Sequence, residues 1–371
     1  MAKNTEVIPF TELVERIQEI TRERSSNASK IRGVVNDIYL RDIPRKEDWS
    51  FYLASSAITL IEEFATGTVS ANTGDTTVTF SSEVVMTSSM TGRMLKMTGN
   101  DYVYRVSGMS GNTGATITPP ISGNANITSV SYSIFQPFYS LASDFDRFPK
   151  NGGLINYRGN SQEIIPEKPY QEWPDEYTAT PQNDPSFCRL IGADTAGNTL
   201  LEIVPPAKIA KSLRYDYFLR PRVMRESTAG LIGNITSGGV NVIGDSNTLF
   251  TQMNTGDYLR VDALGKSSES EWYRIIAISG NSGLTLQTAF GLSGVTSANY
   301  TICSAPQMPP RMHPAVLYGT ITQIVADQDD PLYSLYAMKY AEVMTDGKRI
   351  YKTRNYNQDI HHIGEEYYYR Y

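Results

Sequence analysis

The sequence predicts an α+β multidomain protein: a discontinuous helical core with a middle strand region, plus two inserted small antiparallel β-barrel or sandwich modules related by an internal repeat. Three observations predict it. Apolar residues recur at helical spacing near both ends of the chain. Between them, at Gly67 and again from about Ala229, the texture shifts to short alternating stretches of β-branched and small polar residues broken by turn signals. Finally, "YRVSGMSGNTGATI" from Tyr104 recurs as "YRIIAISGNSGLTL" from Tyr273, with Tyr, Arg, Ser-Gly-Asn, Gly and Thr in step.

Residues 1–65 read as helices of the core. "FTELVERIQEITRER" places Phe10, Leu13, Val14, Ile17 and Ile20 on one face with charges opposite. Asn27 or Ser29 suits the cap of a second helix around Ile31, Val34, Val35 and Ile38. "DIPRKEDWSFYLASSAITLIEEFAT" is expected to break at Pro44. It then resumes as a helix capped by Asp48, with Trp49, Leu53, Ala57, Leu60, Ile61 and Phe64 inward.

Residues 66–136 form the first β module. Residues 137–228 are an irregular strand-rich middle, with strands expected at 163–165, 187–191, 200–204 and 213–219. "ADTAGN" makes a hairpin turn between the second and third of these. Residues 229–304 form the second module. Each copy has a Thr-Gly before a strand (Thr91-Gly92, Thr255-Gly256), then the Tyr-Arg strand, and closes on a Tyr strand ("SYSIF", "NYTIC"). On the Tyr-Arg strand, Tyr104 and Val106 share one face and Arg105 takes the other. Gly111-Asn112 and Gly280-Asn281 supply the positive φ that a hairpin turn needs. The repeated letters are thus explained by pairing and turn chemistry. Both modules interrupt the core at what should be exposed loop tips, so they are expected to project.

Residues 305–354 return to helical spacing. Val316, Leu317, Thr320, Ile321, Ile324 and Val325 line one side of a helix. A second helix starts with Asp330 as cap and Pro331 in its first turn, and Gly347 ends or weakens it. Residues 355–371, "NYNQDIHHIGEEYYYRY", are too polar and aromatic to bury a helical face and read as an extended tail.

The bulk numbers narrow the classes of function. The chain has 371 residues, 40% hydrophobic and 19% charged, which suits packed domains and argues against wholesale disorder. Its formal net charge of −6 argues against a main task of gripping nucleic acid by its phosphates. The 24 tyrosines against 12 phenylalanines favour half-wet strands and interfaces. Cys188 and Cys303 lack a partner motif and are expected to be free buried thiols. With no signal peptide and no long apolar run, the expectation is a soluble protein made in a cytoplasm, with no membrane association.

The search for chemistry finds no site. His361 and His362 are adjacent in the tail and point opposite ways if it is extended, so they do not share a metal, and His313 looks like a helix-start residue. Asp144 and Asp146 flank Phe145 as a conceivable hydrolytic pair, with loop residues around a buried Phe as the favoured alternative. "DQDDP" lacks the glycine and distal glutamate of a calcium loop. The Ser-Gly-Asn turns are followed by strands, not by the helix a phosphate cradle needs. No phosphate-loop, nucleophile-elbow or Cys-x-x-Cys motif is present, and no catalytic, cofactor or metal residue is assigned.

One resemblance covers the discontinuous core, roughly 200 residues, as order and texture rather than a sharp motif. It rests on the segment "WSFYL", then "PFYSLASDFDRF", "LEIVPPAKIAKSLRYDYFLRP" and "MHPAVLYGTITQIVA…PLYSLYAMKYAEVM". This layout resembles the head-to-tail adaptor (connector) proteins of tailed bacteriophages, including the tail tubular protein A group. The resemblance implies a non-enzymatic structural protein of the virion neck or tail, a twelvefold homo-oligomeric ring under the portal protein. DNA would pass through its channel without sequence-specific binding during ejection. A tail nozzle or tail tube protein, and in some cases tail fibres, would join below. A terminal segment docks on the portal in such adaptors; here that points to Tyr356, Ile360, Ile363, Tyr367, Tyr368, Tyr369, Arg370 and Tyr371. Two other readings stand beside it: a tail or fibre protein binding receptor or glycan through its β modules, and a polysaccharide-degrading enzyme, which lacks a site.

Overall fold

The computed structural model describes residues 7–22, 27–123, 126–150, 152–158, 161–168, 180–261, 271–325 and 330–352. It is a mixed α and β protein built on several antiparallel sheets. Its contacts divide it into two compact units, 1–52 with 220–371 and 53–219.

The first unit opens with α1 (Phe10–Thr21), which buries Phe10, Leu13, Val14 and Ile17 at helical spacing. Each such burial stabilises by about 1.5–3 kcal/mol. Helix α2 (Ala28–Asp37) buries Ile31 and Val35. The chain does not break at Pro44. A π-helical turn, Ile38–Asp42, leads directly into the short α3 (Ile43–Lys46), where Pro44 sits in the first turn and its missing N–H costs nothing. Trp49 follows, fully buried, its indole N–H donating to the Ile43 carbonyl at 2.8 Å.

The expected helix from Asp48 to Phe64 is replaced by a single 3-10 turn and a strand, and Asp48 caps no α-helix. Strand β1 (Leu53–Leu60) opens the second unit. Its burial alternates, Ile58 and Leu60 inward while Leu53, Ser55, Ala57 and Thr59 are exposed. "LASSAITL" satisfies a period of two better than a period of 3.6, and its pairing partner lies far along the chain.

Seven strands follow: β2 (Val69–Ala71), β3 (Thr77–Phe80), β4 (Met94–Met97), β5 (Val103–Met109), β6 (Gly114–Thr118), β7 (Ile127–Val130) and β8 (Tyr132–Phe135). They form one antiparallel sheet in the order β7-β2-β3-β6-β5-β4-β8. Only Ser131 separates β7 from β8, yet β7 pairs with β2 and β8 with β4. The sheet therefore curls until one bent strand serves both its ends, around Leu95, Tyr104, Val106, Ile117 and Ile134.

The rest of this unit contains β9 (Phe138–Ser140), β10 (Phe145–Arg147), β11 (Gly153–Arg158), β12 (Ser161–Pro166), β13 (Phe187–Ala193), β14 (Thr199–Val204) and β15 (Lys211–Leu219). The four strands expected from sequence lie within or over β12, β13, β14 and β15; β9, β10 and β11 were not legible. One sheet runs β1-β15-β11-β12 with β10 also on β15, and another runs β13-β14-β9. "ADTAGN" is the β13–β14 turn. The Asp194 carboxylate accepts from the Ala196 and Asn198 N–H groups, both at 2.8 Å, and from the Ser140 hydroxyl at 2.7 Å. These donors, Ser140 first, lower its pKa.

Back in the first unit lie β16 (Glu226–Ser227), β17 (Ile232–Asn234), β18 (Asn241–Gly244), β19 (Tyr258–Val261), β20 (Tyr273–Ile278), β21 (Gly283–Leu286) and β22 (Tyr300–Cys303). Their order, β16-β22-β19-β20-β21-β18-β17, contains the path β17-β18-β21-β20-β19-β22. That is the path β2-β3-β6-β5-β4-β8 of the other sheet. Bridges Ile232 to Ala298 and Ile235 to Val295 stand where β7 meets β2. Ser129 and Ser297, each two residues after the isoleucine or valine of such a pairing segment, both take left-handed φ, 50° and 53°.

The repeated letters have assignable work. Tyr104 and Tyr273 are buried, while Arg105 and Arg274 on the opposite face are exposed. The Tyr104 hydroxyl accepts from the Ser122 N–H at 3.1 Å, and Tyr273 accepts from the Gly291 N–H at 3.0 Å, eighteen residues on in each case. Gly111 and Gly280 adopt φ of 73° and 113°. The asparagines after them are absent from the positive-φ residues. Their carbonyls instead accept from Met86 N–H at 2.7 Å and Phe250 N–H at 3.1 Å, pinning the loop that precedes β4 or β19.

Two helices close the unit. Helix α4 (His313–Ile324) packs on α1, α2 and α5, burying Val316, Leu317, Thr320 and Ile321. Helix α5 (Pro331–Tyr351) is capped by Asp330, whose carboxylate accepts from Leu332 N–H at 2.8 Å. Gly347 does not end it. The helix runs four residues further, and a Cβ at Gly347 would lie 2.4 Å from the Met312 sulfur, so glycine is there for close packing. Cys188 and Cys303 are free and buried, and burial pushes both thiols up to about 12.

Tyr104→Phe and Tyr273→Phe should each destabilise the protein by about 1 kcal/mol, because each leaves a backbone N–H without its acceptor. Urea denaturation of the two variants measures this, and costs of similar size in both copies are expected.

Candidate functional site

The first unit holds a cleft of about 700 Å³. Its walls come from five separate stretches: Val7 ahead of α1, the strap after Leu219 that carries Arg222, Val223 and Arg225, the turn 252–258 before and at the start of β19, Arg274 on β20, and residues 304–313 leading into α4.

The strap is fixed by its backbone, which leaves its basic side chains free. Arg222 N–H donates to the Gln307 side-chain oxygen at 3.0 Å, and Gln307 N–H donates to the Tyr39 hydroxyl at 2.9 Å. Met224 is buried, and its N–H and carbonyl are both bonded to the Asn36 amide, at 2.9 and 3.2 Å. Arg225 N–H donates to the Ser304 hydroxyl at 2.7 Å. Pro221 and Met224 point inward, so Arg222, Val223 and Arg225 face solvent.

Arg222, Arg225 and Arg274 form no ion pair with a described residue. Elsewhere in the first unit Arg260 grips Glu15 through two bonds of 3.0 and 2.9 Å and Arg32 holds Glu226. The cleft's own carboxylate, Asp257, is 7% exposed and accepts from Asn254 N–H at 2.8 Å. Burial raises its pKa, opposed by that N–H and by the charge of Arg222. The cleft thus offers outward positive charge at its rim and one shielded acceptor below, which suits an anionic ligand that also carries a hydrogen-bond donor.

His313 forms part of the floor. Its Nδ1 accepts from Ile8 N–H at 2.9 Å and its Nε2 faces the Met308 carbonyl at 3.2 Å, which fixes a neutral ring with the proton on Nε2. Burial is the main cause that lowers its pKa from 6.5 to about 4. It is a clamp on the chain segment 7–9, not an exposed base.

The second candidate surface is α5. Of its 21 residues only Met344 and Gly347 are buried, while Leu335 and Met338, one turn apart, are 41% and 66% exposed. The residues expected to dock on a portal, Tyr356, Ile360, Ile363, Tyr367, Tyr368, Tyr369, Arg370 and Tyr371, lie outside the described residues, as do His361 and His362.

Asp144 and Asp146 are engaged separately. Asp144 accepts from the Tyr217 hydroxyl at 2.7 Å, Asp146 pairs with Arg147 at 2.7 Å, and Phe145 between them is buried. Among the described residues, no group of three His, Cys, Asp or Glu is placed to hold a metal, and no helix is long and apolar enough to cross a membrane. The cleft arginines were not singled out from sequence, although "RPRVMR" is a legible cluster of basic residues. What the sequence hides is that a segment 50 residues further along, around Arg274, completes the same wall. The chain matches no protein-family model and no curated protein sequence.

The His313 geometry has a pH consequence. Its folded-state pKa lies below the ordinary value, so its contribution to stability is complete above pH 6.5 and is lost as the pH falls toward 4. The loss amounts to about 3 kcal/mol. Thermal melts across this window should fall more steeply for the natural protein than for His313→Gln.

Proposed function

We propose that the protein is a structural virion component, a head-to-tail adaptor that forms a ring under the portal around the DNA channel and joins capsid to tail. In this reading the helices from the two ends of the chain are the ring body. The two β modules, 66–136 and 229–304, are copies of one unit inserted into a discontinuous core, and they project to meet subunits, tail or fibres. The order of segments along the chain supports it, as does the shared strand path of the two curled sheets.

The observation that carries the reading is α5. Helix α5 packs on α4 through largely half-buried residues and leaves a Leu335–Met338 ridge exposed, and an exposed apolar ridge calls for a matching face. A neighbouring copy in a ring supplies that face.

Electron microscopy of the purified protein, alone and with its portal, tests the reading: a ring of portal order, twelvefold, is expected, and a compact trimer overturns it in favour of a fibre protein. Met338→Asp should abolish ring assembly while leaving the circular dichroism of the subunit unchanged. Deletion of 355–371 should abolish portal attachment and leave the fold intact; unchanged attachment refutes the assignment of that segment.

A further inference from the structure

The cleft of the first unit has no part in the adaptor reading, and what it recognises follows from its own chemistry. Three exposed arginines, Arg222, Arg225 and Arg274, border one concavity, and none forms an ion pair with a described residue. Arginine in such a place favours carboxylates, which it grips in a planar two-bond geometry, and aromatic rings, on which it stacks. The apolar lining, Val223, exposed to 51%, with Met253 and Met308 below it, suits an aromatic ring better than a second charge. Asp257 adds a buried acceptor that welcomes a hydroxyl donor and repels a further anion from the floor. A ligand with carboxylates at the rim and tyrosines below them meets every one of these features.

We propose that this cleft is a docking site for an acidic, tyrosine-bearing peptide segment, and that its occupant is the "EEYYY" run, residues 365–369, of this same chain. The segment holds two adjacent carboxylates followed by three tyrosines, a pattern found nowhere else in the sequence. The described part of α5 brings its end close enough. Gly347 lies against Met312, the neighbour of the floor residue His313, and the Lys352 backbone bridges Trp49. From residue 352 to residue 365 the chain spans up to about 45 Å when extended. Nucleic acid fits less well, because phosphates would find the three arginines but no use for the buried Asp257 acceptor, and the chain as a whole is acidic. The adaptor reading assigns the same residues to the portal, so cleft and portal would compete for them in an assembly; the inference itself and its test need neither a ring nor a portal.

The test uses the full-length chain carrying Glu365→Gln and Glu366→Gln, in which the native occupant is weakened. A fluorescein-labelled peptide of residues 359–371 is added and its anisotropy followed. Saturable binding is expected. Adding Arg222→Gln and Arg274→Gln should weaken it at least about tenfold, because two charge-assisted contacts are lost. Arg225→Gln alone should weaken it less. The side chains altered are exposed, and an unchanged melting temperature confirms that the variants fold. On the natural full-length chain the peptide should bind more weakly than on the Gln variant, since the chain's own segment competes. Absence of binding, or binding indifferent to the arginine substitutions, overturns the proposal. Equal displacement of the peptide by a single-stranded oligonucleotide or by inorganic phosphate also overturns it, by showing a general polyanion surface. Ring formation, followed separately by electron microscopy, reports on the adaptor reading alone.

Discussion

The ladder between β1 and β15 organises the whole chain. Its register sets Leu53 opposite Phe218 and Leu60 opposite Lys211, eight residues paired without a bulge. Leu53 is the first residue of the second unit and Leu219 the last, so the chain enters and leaves that unit at adjacent points. A sheet of this kind closes a very long loop, and the entropic cost of closure rises only with the logarithm of loop length. In sequence, one unit is thereby inserted between the two parts of the other. The outer unit is accordingly stitched from its ends: α1 and α2 pack on α4, Ile8 bonds His313, and Thr11 and Arg32 both reach Glu226. The strap that lines the cleft begins at once after β15, where the chain returns.

The two curled sheets show what a repeated sequence preserves. The conserved-in-step letters are those whose atoms have a fixed duty in the hydrogen-bond plan: a tyrosine hydroxyl that accepts an N–H eighteen residues on, a glycine in left-handed conformation, an asparagine carbonyl that pins a loop. The inward apolar positions vary in identity because volume and shape, not a particular atom, are what the core requires. Ser129 and Ser297 are the less expected pair. A non-glycine residue at φ near 50° is uncommon, and the same departure in both copies marks the bend where one strand passes from one end of the sheet to the other.

Legibility followed the range of the interactions. Helices α1, α4 and α5, and the Asp330 cap, were readable because their stripes and caps are local. The turn at "ADTAGN" was readable for the same reason. β1 was misread because "LASSAITL" has too few large apolar residues to fix a period, and the ladder that decides the matter lies some 150 residues away. Pro44 was read as a break because the π turn that absorbs it has no signature in single-residue propensities. Gly347 looked like a helix end because a glycine chosen for the approach of a methionine and an indole leaves the same letter. The cleft was the least legible feature. Each of its arginines resembles a solvated surface residue until the strap, the 252–258 turn and β20 are brought together.

The distribution of charge and apolar surface in the first unit supplies the last constraint. In a chain of net charge −6 carboxylates outnumber basic groups, and Arg260 and Arg32 of the first unit are paired with them. Arg222, Arg225 and Arg274 form no ion pair with a described residue and gather around one concavity. Leu335 and Met338 lie exposed on α5. A cationic cleft and an apolar ridge make different demands, one for carboxylates and aromatic rings, the other for a matching apolar face. Neither demand is met by the described residues. The cleft and the ridge lie on different elements of one unit, so the two demands are independent of one another.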